Sequence, residues 1–556
     1  MTSQSFPVHK LCCIESKIDG NADSIFLAAT GPCIQSLSGT SGEILSIWPR
    51  DEGDSSSDDE DERPRKKVKL DDSGNPSLGR EDSEASIEII AEGKERQKGE
   101  RRRPKIPDTT LPNVSHLVVT KDGKSVIAIT AEDKAVKTFS ISRRGRLRQK
   151  SSRSMPKKSC ALALTPDEQT ILTADKFGDV YALPLLPSTD YQRKTETPRA
   201  DKPFKPSASE LTVHTKRNLD TLLQQQKQKE APVRKEGPDF EHKLLLGHVS
   251  LLTDLKTAST DIAGKHRPFI LSADRDEHIR VSRGIPQTHI IHTFCAGHTE
   301  FVSKLCIVPW NPSILVAGNG EPSLRVYDWQ SGEQLSRYDI LANLQGQVET
   351  ILSPDRSIEK LAVSGIWPIR SSSSQASAKR VLLVALEACP IIFVFRFEDS
   401  KLLYEWSLQF AGNVLDVVQV ERSDQIAISL DKTHELGSCQ RYRHERSKNC
   451  IMLLPLSVIE SSQSAGQDST PVVLNMGDKG TQFSPQSVAI DSLADNHWQT
   501  EIDGRGKIAE KSYSALGELL YGLENLRKRR GKAATEDRDE VEAENEQQEG
   551  SLEIPQ

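Results

Sequence analysis

The stretch SILVAGNGEPSLRVYDWQSGE (313–333) contains the pattern that decides the fold. An apolar run from Ile314 to Ala317 is followed by Gly, Asn, Glu and Pro, and then by a second run from Leu324 to Tyr327. Alternating positions rich in β-branched residues are typical of β-strands, and the polar residues between them are typical of a tight turn. The stretch therefore predicts a strand, a turn and a second strand.

The same pattern recurs along the chain. It is found again in LVVTKDGKSVIAITAEDKAVKTFSIS (117–142), ALALTPDEQTILTADKFGDVYALPL (161–185) and FILSADRDEHIRVSR (269–283). Gly247-His248 and Gly297-His298 each precede one such unit, and Asp328-Trp329 lies where a Trp-Asp dipeptide closes a propeller blade. We count about seven units, near 10–48, 113–142, 158–185, 243–283, 297–330, 345–408 and 412–456. An all-β, seven-bladed WD-repeat β-propeller is therefore predicted.

Composition separates this propeller from three polar segments. Only 36% of the 556 residues are hydrophobic, and the formal net charge is −7. Residues 50–108 and 187–240 are rich in Ser, Pro and charge, which is the composition of disorder. We predict a propeller over 10–505 interrupted by these two disordered insertions, and an acidic disordered tail over 533–556.

Residues 508–530 carry a different periodicity. Tyr513, Leu516, Leu520 and Leu523 follow helical spacing, and a run of Arg and Lys follows at 527–530. Cations suit the C-terminal end of a helix. We predict a short amphipathic helix that buries its apolar stripe on the propeller or on a partner.

Motifs for catalysis and for membrane insertion are missing from the sequence. There is no phosphate-binding GxxxxGK[ST] loop, no G-x-S-x-G, no H-E-x-x-H and no glycine-rich cofactor fingerprint. The nine cysteines show no C-x-x-C spacing, so reduced buried thiols are expected rather than a metal site or disulfides. No apolar run approaches the roughly 20 residues that span a bilayer. We predict a soluble intracellular protein with no catalytic, cofactor or metal site and no membrane contact.

The turn in FILSADRDEHIRVSR is unusually charged. In a blade of this type an Asp of the turn commonly accepts hydrogen bonds from backbone amides and from the histidine of the blade. Asp276 lies three residues before Ile279 at the expected place, and His248 is its predicted partner, with Ser272 nearby. Asp133 and His298 are assigned the same structural role in their own blades. By composition alone, the remaining charges of the turn fit a solvated face.

The run SADRDEHIRVS followed by GHTEFVSKL (297–305) resembles one family, the WD-repeat, non-catalytic subunit of eukaryotic tRNA (guanine-N7-)-methyltransferase. TADKFGDVYAL (173–183) is similar to the preceding blade of that family, and LLYGLENLRKR (519–529) to its C-terminal end. The resemblance covers roughly 10–530. It excludes the two insertions and the tail, which look like additions of a fungal-type member.

The resemblance implies a function. Such a subunit does no chemistry; it binds and stabilises, as a heterodimer, a Rossmann-type subunit that carries the S-adenosylmethionine site. The pair forms 7-methylguanosine in the variable loop of tRNA, which this chain would contact mainly through the complex. The docking surface carried over to this sequence comprises, with Arg280 first, Arg280, Arg275, Glu277, His278, Lys176 and Asp179. Arg280 would pair with a carboxylate of the partner.

A compact basic run lies in the first insertion. It consists of Arg63, Arg65, Lys66, Lys67 and Lys69, and it resembles a nuclear localisation signal. A solvated charge run or a nucleic-acid tether would have the same composition. We predict a nuclear protein on this pattern.

Two other functions fit part of the sequence. A generic nuclear WD-repeat scaffold in ribosome or chromatin assembly would share the propeller and the basic run, but it gives no reason for SADRDEHIRVS followed by GHTEFVS. An enzyme in its own right lacks any motif. Binding of S-adenosylmethionine by the isolated chain would favour the enzyme, and a methyltransferase that co-purifies at one-to-one would favour the subunit.

Overall fold

The computed structural model divides the chain into two compact units, residues 1–48 with 111–556, and residues 49–110. It describes residues 7–18, 21–49, 111–187, 191, 216, 219, 221–223, 238–262, 264–349, 351–352, 356–370, 380–420, 423–443, 450–460, 473–477, 481–483 and 517–528. The predicted insertion over 50–108, with its five basic residues, and the tail over 533–556 lie outside this set.

The described strands form seven antiparallel blades. Blade 1 contains β1 (Lys10–Ile18), β2 (Asn21–Thr30), β3 (Cys33–Ser38) and β4 (Ile44–Trp48). Blade 2 contains β5 (Val114–Val119), β6 (Ser125–Thr130), β7 (Ala135–Ile141) and β8 (Leu147–Ser154). Blade 3 contains β9 (Ser159–Leu164), β10 (Thr170–Asp175), β11 (Asp179–Pro184) and β12 (Lys243–Gly247).

The second half of the ring repeats this order. Blade 4 contains β13 (Leu252–Ile262), β14 (Lys265–Asp274), β15 (Ile279–Arg283) and β16 (Ile291–Cys295), and blade 5 contains β17 (Val302–Ile307), β18 (Ile314–Asn319), β19 (Ser323–Asp328) and β20 (Glu333–Asp339). Blade 6 contains β21 (Val363–Arg370), β22 (Arg380–Leu386), β23 (Ile391–Glu398) and β24 (Lys401–Phe410), and blade 7 contains β25 (Asn413–Val420), β26 (Gln425–Asp431) and β27 (Cys450–Pro455). The chain then returns to both blades, since β28 (Val473–Gly477) pairs with β24 in parallel and β29 (Thr481–Phe483) completes blade 7.

Helical structure is sparse in the part of the chain that the structure describes. It consists of α1 (Leu341–Glu349), α2 (Leu456–Glu460), the 3₁₀ turns Ile358–Lys360 and Glu524–Leu526, and short helical stretches that include 221–223 and 517–520. None of the helices among the described residues is long and apolar enough to cross a membrane.

The first strand of every blade lies innermost and contacts the first strands of both neighbouring blades. Two carboxylates of these strands reach across blade boundaries. Asp254 Oδ2 accepts the amide of Leu305 (2.8 Å), and Asp416 Oδ2 accepts the amide of Leu11 (3.0 Å). The second bond joins blade 7 to blade 1, so the two ends of the propeller chain meet there. Closing the ring in this way protects strand edges that an open sheet would expose.

The core consists of layers between adjacent blades. Middle strands are packed on both faces, as in β18, where all six residues are buried. Trp329, which is 0% exposed, packs against Phe269 of the preceding blade at a ring distance of 5.2 Å, and its Nε1 donates to Pro312 O (2.7 Å). Burial raises the pKa of the Cys295 and Cys306 thiols to about 12, so these two cysteines behave as small apolar groups.

The seven-bladed propeller predicted from the sequence is confirmed. One predicted boundary differs. The run Lys243–Gly247 pairs with β11 and closes blade 3, whereas the sequence pattern grouped it with 250–283 in the next blade. The outer strands β8 and β20 also extend the units predicted over 113–142 and 297–330. Within the predicted insertion 187–240, residues 221–223 are helical and Leu222 is 2% exposed, so this part is not a wholly solvated loop.

Candidate functional site: the blade 4 turn and its surroundings

The turn between β14 and β15 is organised by Asp274. Its Oδ1 accepts the amides of Asp276 (2.9 Å) and His278 (3.0 Å). Its Oδ2 accepts from Nδ1 of His248 (3.0 Å), whose Nε2 lies 2.8 Å from Ser272 Oγ. The predicted contact of His248 with Ser272 is present, but the prediction of Asp276 as its carboxylate partner is wrong. The spacing to Ile279 pointed to Asp276, but β14 ends at Asp274, and it is the Asp274 carboxylate that faces His248.

Equivalent turns in other blades use related groups. In blade 5, Nε2 of His298 lies 3.1 Å from the hydroxyl of Tyr327, and the Asn319 side chain lies 3.5 Å from its Nδ1. Burial, with Arg325 nearby, lowers the pKa of His298 to about 3, so this histidine is neutral and structural. In blade 2, Asp133 accepts the Ala135 amide (3.3 Å) and the ammonium of Lys137. Both residues therefore hold turns, although Asp133 has a lysine partner instead of a histidine.

The hydrogen bonds to Asp274 predict a pH dependence of stability. Burial acts to raise the pKa of Asp274, but the bonds from His248 and the His278 amide outweigh it and hold the pKa below its ordinary value of 3.8. A carboxylate with a lowered folded-state pKa stabilises the fold above its unfolded pKa, and this contribution is lost as the pH falls through the folded value. Asp274→Asn should lower the free energy of unfolding by about 1–3 kcal/mol at neutral pH, and by less at acid pH.

Urea unfolding at neutral pH and at a pH below 3.8 checks this, with Asp276→Asn as the matched control. Asp276 forms a half-exposed ion pair with Lys528 (3.2 Å), which should contribute less than about 1 kcal/mol. An equal or larger loss in Asp276→Asn would restore Asp276 as the residue that holds the turn.

Residues 517–528, the C-terminal segment, lie across the face of the propeller that carries the turns between second and third strands. The phenol of Tyr521, which is 8% exposed, donates to Asp431 Oδ2, and Asn413 Nδ2 donates to the phenol oxygen (3.4 Å). Nδ1 of His434 also contacts Asp431 Oδ2 (2.6 Å). Burial and the Asp431 carboxylate raise the pKa of Tyr521 well above its ordinary value, so the phenol keeps its proton. Tyr521 thus joins the segment to blade 7.

The segment reaches blade 4 through its cations and carbonyls. Arg275 donates to the carbonyls of Leu526 (2.9 Å) and Arg527 (3.1 Å). Lys528 pairs with Asp276 (3.2 Å) and Glu277 (3.1 Å), and Arg527 pairs with Glu300 (3.3 Å) at the start of blade 5. In this structure, two residues predicted to bind a partner, Arg275 and Glu277, therefore contact the chain's own C-terminal segment.

The predicted continuous helix over 508–530 differs from what the described residues show. The helical stretch ends at Leu520, and a single 3₁₀ turn follows at Glu524–Leu526. The amide of Leu523 donates to Glu387 Oε1 (2.8 Å) instead of bonding within a helix. The spacing of the apolar residues fitted a helix, but contacts with blades 4 to 7 favour a partly extended backbone.

The central channel contains a cavity of about 610 Å³, and the C-terminal segment forms part of its wall. Its other lining residues include His116, Lys256 and Lys304. Burial, with Lys10 and Lys256 nearby, lowers the pKa of Lys304 to about 8. The channel carboxylates Asp254 and Asp416 hold strand amides, so both have structural roles.

Arg280 lies at the rim of the ring, where blades 3 and 4 meet. Its Nη1 donates to Gly247 O on β12 (2.9 Å), and its buried Nε has no partner among the described residues. Gly247 pairs with Asp179, so Asp179 and Arg280 flank the same point of the backbone. Gly178, with a φ of +97°, lets the blade 3 turn lie close to His248, whose amide donates to the Gly178 carbonyl (2.8 Å). Lys176 lies in that turn, and its ammonium nitrogen is 5.4 Å from the centre of the Phe177 ring.

Two exposed apolar side chains lie on the same face of blade 4 as Arg280. Phe294 is paired with Arg280 across β15 and β16 and is 46% exposed, and Ile291, which is paired with Ser282, is 47% exposed. His278, also exposed, lies 6.5 Å from the Phe294 ring. We name the rim site as Asp179, His278, Arg280, Ile291 and Phe294. Sequence reasoning missed the two apolar members because alternation marks two faces of a strand without showing which one stays uncovered.

Comparison with known proteins agrees with this architecture. The family model described as "tRNA methyltransferase TRM82 WD40 domain" matches residues 26–454. Curated relatives named "tRNA (guanine-N(7)-)-methyltransferase non-catalytic subunit" include proteins of Coccidioides immitis (34% identical, covering 91% of this chain and 95% of the relative), Aspergillus clavatus (34%, 94% and 98%) and Sclerotinia sclerotiorum (35%, 90% and 96%). These names support the prediction that the chain is not itself catalytic. The chain therefore belongs to the family of TRM82-type WD-repeat proteins, the non-catalytic subunits of tRNA (guanine-N(7)-)-methyltransferase.

Proposed function

We propose that the rim site binds the catalytic methyltransferase subunit, and that the heterodimer forms 7-methylguanosine in the variable loop of tRNA. The partner would carry S-adenosylmethionine and the catalytic residues, while this chain would hold it in an active form. The observation that carries the proposal is the rim site itself, where a partly buried Arg280 shares one face of blade 4 with the exposed apolar side chains of Ile291 and Phe294. Interfaces of proteins typically combine an apolar centre with a few charged groups of fixed geometry.

Arg280 is suited to this role. One guanidinium nitrogen is fixed by Gly247 O, which orients the planar group on the rim. Nη2, which has no hydrogen-bond partner among the described residues, would gain one if a carboxylate of the methyltransferase approached in the plane of the guanidinium. Asp179 lies next to Arg280 and carries the opposite charge, which would favour one orientation of the partner.

Purification of the tagged full chain from its native cell tests the proposal. We expect a Rossmann-type methyltransferase at one-to-one in the eluate, and loss of 7-methylguanosine from tRNA when the gene is deleted. Isolated chain that binds S-adenosylmethionine without a partner would instead support an enzyme. A stoichiometric ribosome or chromatin factor with unchanged 7-methylguanosine would support the scaffold.

We also propose that the protein acts in the nucleus, through the basic run at residues 63–69. Deletion of 63–70 in a fluorescent fusion should shift the signal from the nucleus to the cytoplasm. Deletion of 71–78, an adjacent stretch of equal length without basic residues, is the control. Unchanged nuclear fluorescence after the first deletion would contradict the assignment.

A further inference from the structure

One stretch of the chain in blade 2 carries charge of a single sign. Residues 142–158 contain five arginines and three lysines and no aspartate or glutamate. They form the turn after β7, the strand β8 and the connection to blade 3. This concentration of charge contrasts with the net charge of −7 of the whole chain.

The fold turns most of these cations outward. β8 is the outermost strand of blade 2, and Arg148 and Lys150 occupy exposed alternate positions on it. Arg143, Arg144 and Arg146 are exposed in the adjoining turn. We name Arg143, Arg144, Arg146, Arg148 and Lys150 the basic edge.

Arg153 shows by contrast what a structural arginine does here. It is 3% exposed and donates through Nη1 to Pro184 O (2.5 Å) of blade 3. Arg148 and Lys150 make no such bond and no ion pair with any described residue. Blade stability therefore does not account for their charge.

The surroundings of the basic edge indicate which kind of partner it fits. The exposed residues of β8 are all polar or charged, namely Arg148, Gln149, Lys150, Ser152 and Ser154. A protein interface would need an apolar centre of the kind found at the rim site. Trp48 lies beside the strand, but its Nε1 is bound to Gln149 Oε1 (3.0 Å) and its ring packs edge-on against Phe139. This leaves cations and hydroxyls, which suit a polyanionic backbone rather than stacked bases.

We propose that the basic edge binds the phosphate backbone of RNA. Alternate residues of a strand are about 6.8 Å apart on one side, so Arg148 and Lys150 can contact successive phosphates while the arginines of the turn contact a third. Arginine recognises phosphate through two parallel N–H bonds, and such contacts add affinity without reading sequence.

The basic edge lies beside blade 1, since Ser36 Oγ donates to Gly145 O (2.5 Å) and Trp48 Nε1 donates to Gln149 Oε1 (3.0 Å). Its turn follows the end of β7, whereas Asp179 and His278 lie where third strands begin, so the basic edge and the rim site are at opposite faces of the ring. In naming tRNA as the RNA, the inference rests on the proposed function.

The test measures binding of a folded tRNA transcript to the full chain by fluorescence anisotropy between about 50 and 200 mM salt. Arg148→Glu/Lys150→Glu should lower the affinity at least about tenfold and reduce the salt slope by about two. Arg148→Gln/Lys150→Gln should produce a smaller loss in the same direction. The control is Lys265→Glu/Arg380→Glu/Lys401→Glu, which reverses exposed cations on blades 4 and 6 and should bind as the parent does.

Unchanged affinity and salt slope in the first variant, with its thermal midpoint unchanged, would overturn the proposal. Binding of a peptide of residues 51–62, DEGDSSSDDEDE, in place of tRNA would also overturn it, because the occupant would then be acidic protein. Co-purification of the methyltransferase separates this test from that of the proposed function. The Arg148→Glu/Lys150→Glu variant should retain that partner. If the parent eluate contained no methyltransferase and the variant still lost tRNA binding, only the proposed function would be refuted.

Discussion

Replacement of Arg280 by leucine is expected to remove the methyltransferase from the purified complex while the propeller stays folded. Leucine keeps much of the apolar stem but deletes the guanidinium that would pair with the partner. Loss of one member of a desolvated charge pair costs roughly 2–5 kcal/mol, which is at least about 30-fold in affinity. Among the described residues the guanidinium loses one hydrogen bond, to Gly247 O, and its attraction to Asp274, so the thermal midpoint should change little.

Affinity for the partner, measured by titration with the purified methyltransferase, is the direct readout, and 7-methylguanosine in cellular tRNA is the second. Arg380→Leu is the matched control, since Arg380 is an exposed arginine at the start of β22 in blade 6. Parent-like affinity in Arg280→Leu would exclude Arg280 from the interface. In that case Phe294→Ala would show if the apolar members alone hold the partner.

Replacement of Tyr521 by alanine should release the C-terminal segment from the propeller. The substitution removes a buried ring and both phenol hydrogen bonds, a change that typically costs about 3–5 kcal/mol for a large aromatic residue. The segment can detach without global unfolding, so the measured loss is limited to its docking free energy. Hydrogen exchange should become fast at 517–528, and trypsin should cleave after Arg527 and Lys528.

Tyr521→Phe and Asn525→Ala calibrate this result. Tyr521→Phe keeps the ring and removes the bonds to Asp431 and Asn413, so it should lower the docking free energy of the segment by about 1–3 kcal/mol. Asn525 is exposed in the middle of the 3₁₀ turn, and its replacement should leave exchange as in the parent. Slow exchange at 517–528 in Tyr521→Ala would mean that Arg275 and Arg527 hold the segment without blade 7.

The contacts of the C-terminal segment also bear on the partner. Arg275, Asp276 and Glu277 form hydrogen bonds or ion pairs with residues about 250 positions away in the sequence. Of the charged blade 4 turn and the strand that follows it, His278 and Arg280 therefore carry the proposed interface. A partner that also bound Arg275 would first have to displace Leu526 and Arg527 from it.

Much of the fold could be predicted from local pattern. The strand–turn–strand units depend on side-chain alternation and on turn residues, which adjacent residues determine. The membership of Lys243–Gly247 in blade 3 could not be predicted this way. It follows β11 after a long insertion and precedes β13 directly, so distance along the chain favours the wrong blade, and only the pairing with Asp179 to Ala182 decides it.

The residues of the candidate site also fall into two groups, those that could be predicted from the sequence and those that could not. The resemblance to the family implied Arg280, His278 and Asp179, whereas their charge alone fitted a solvated face, and all three belong to the rim site. Ile291 and Phe294 were missed, because an apolar residue on a strand usually signals the core. Their exposure follows from the outer position of β16 in its blade, which depends on the packing of the whole ring.

The sequence by itself determined the β-propeller, its number of blades and the family resemblance, since each is expressed in runs of fewer than thirty residues. The tertiary structure decided that Asp274 holds the blade 4 turn, that the C-terminal segment binds Arg275 and Glu277, and that exposed apolar side chains share a face of blade 4 with Arg280. The physical reason is the distance along the chain over which each interaction acts. Periodicity and turn chemistry act between neighbours along the chain, whereas hydrogen-bond partners and exposure depend on residues that meet only when the ring closes.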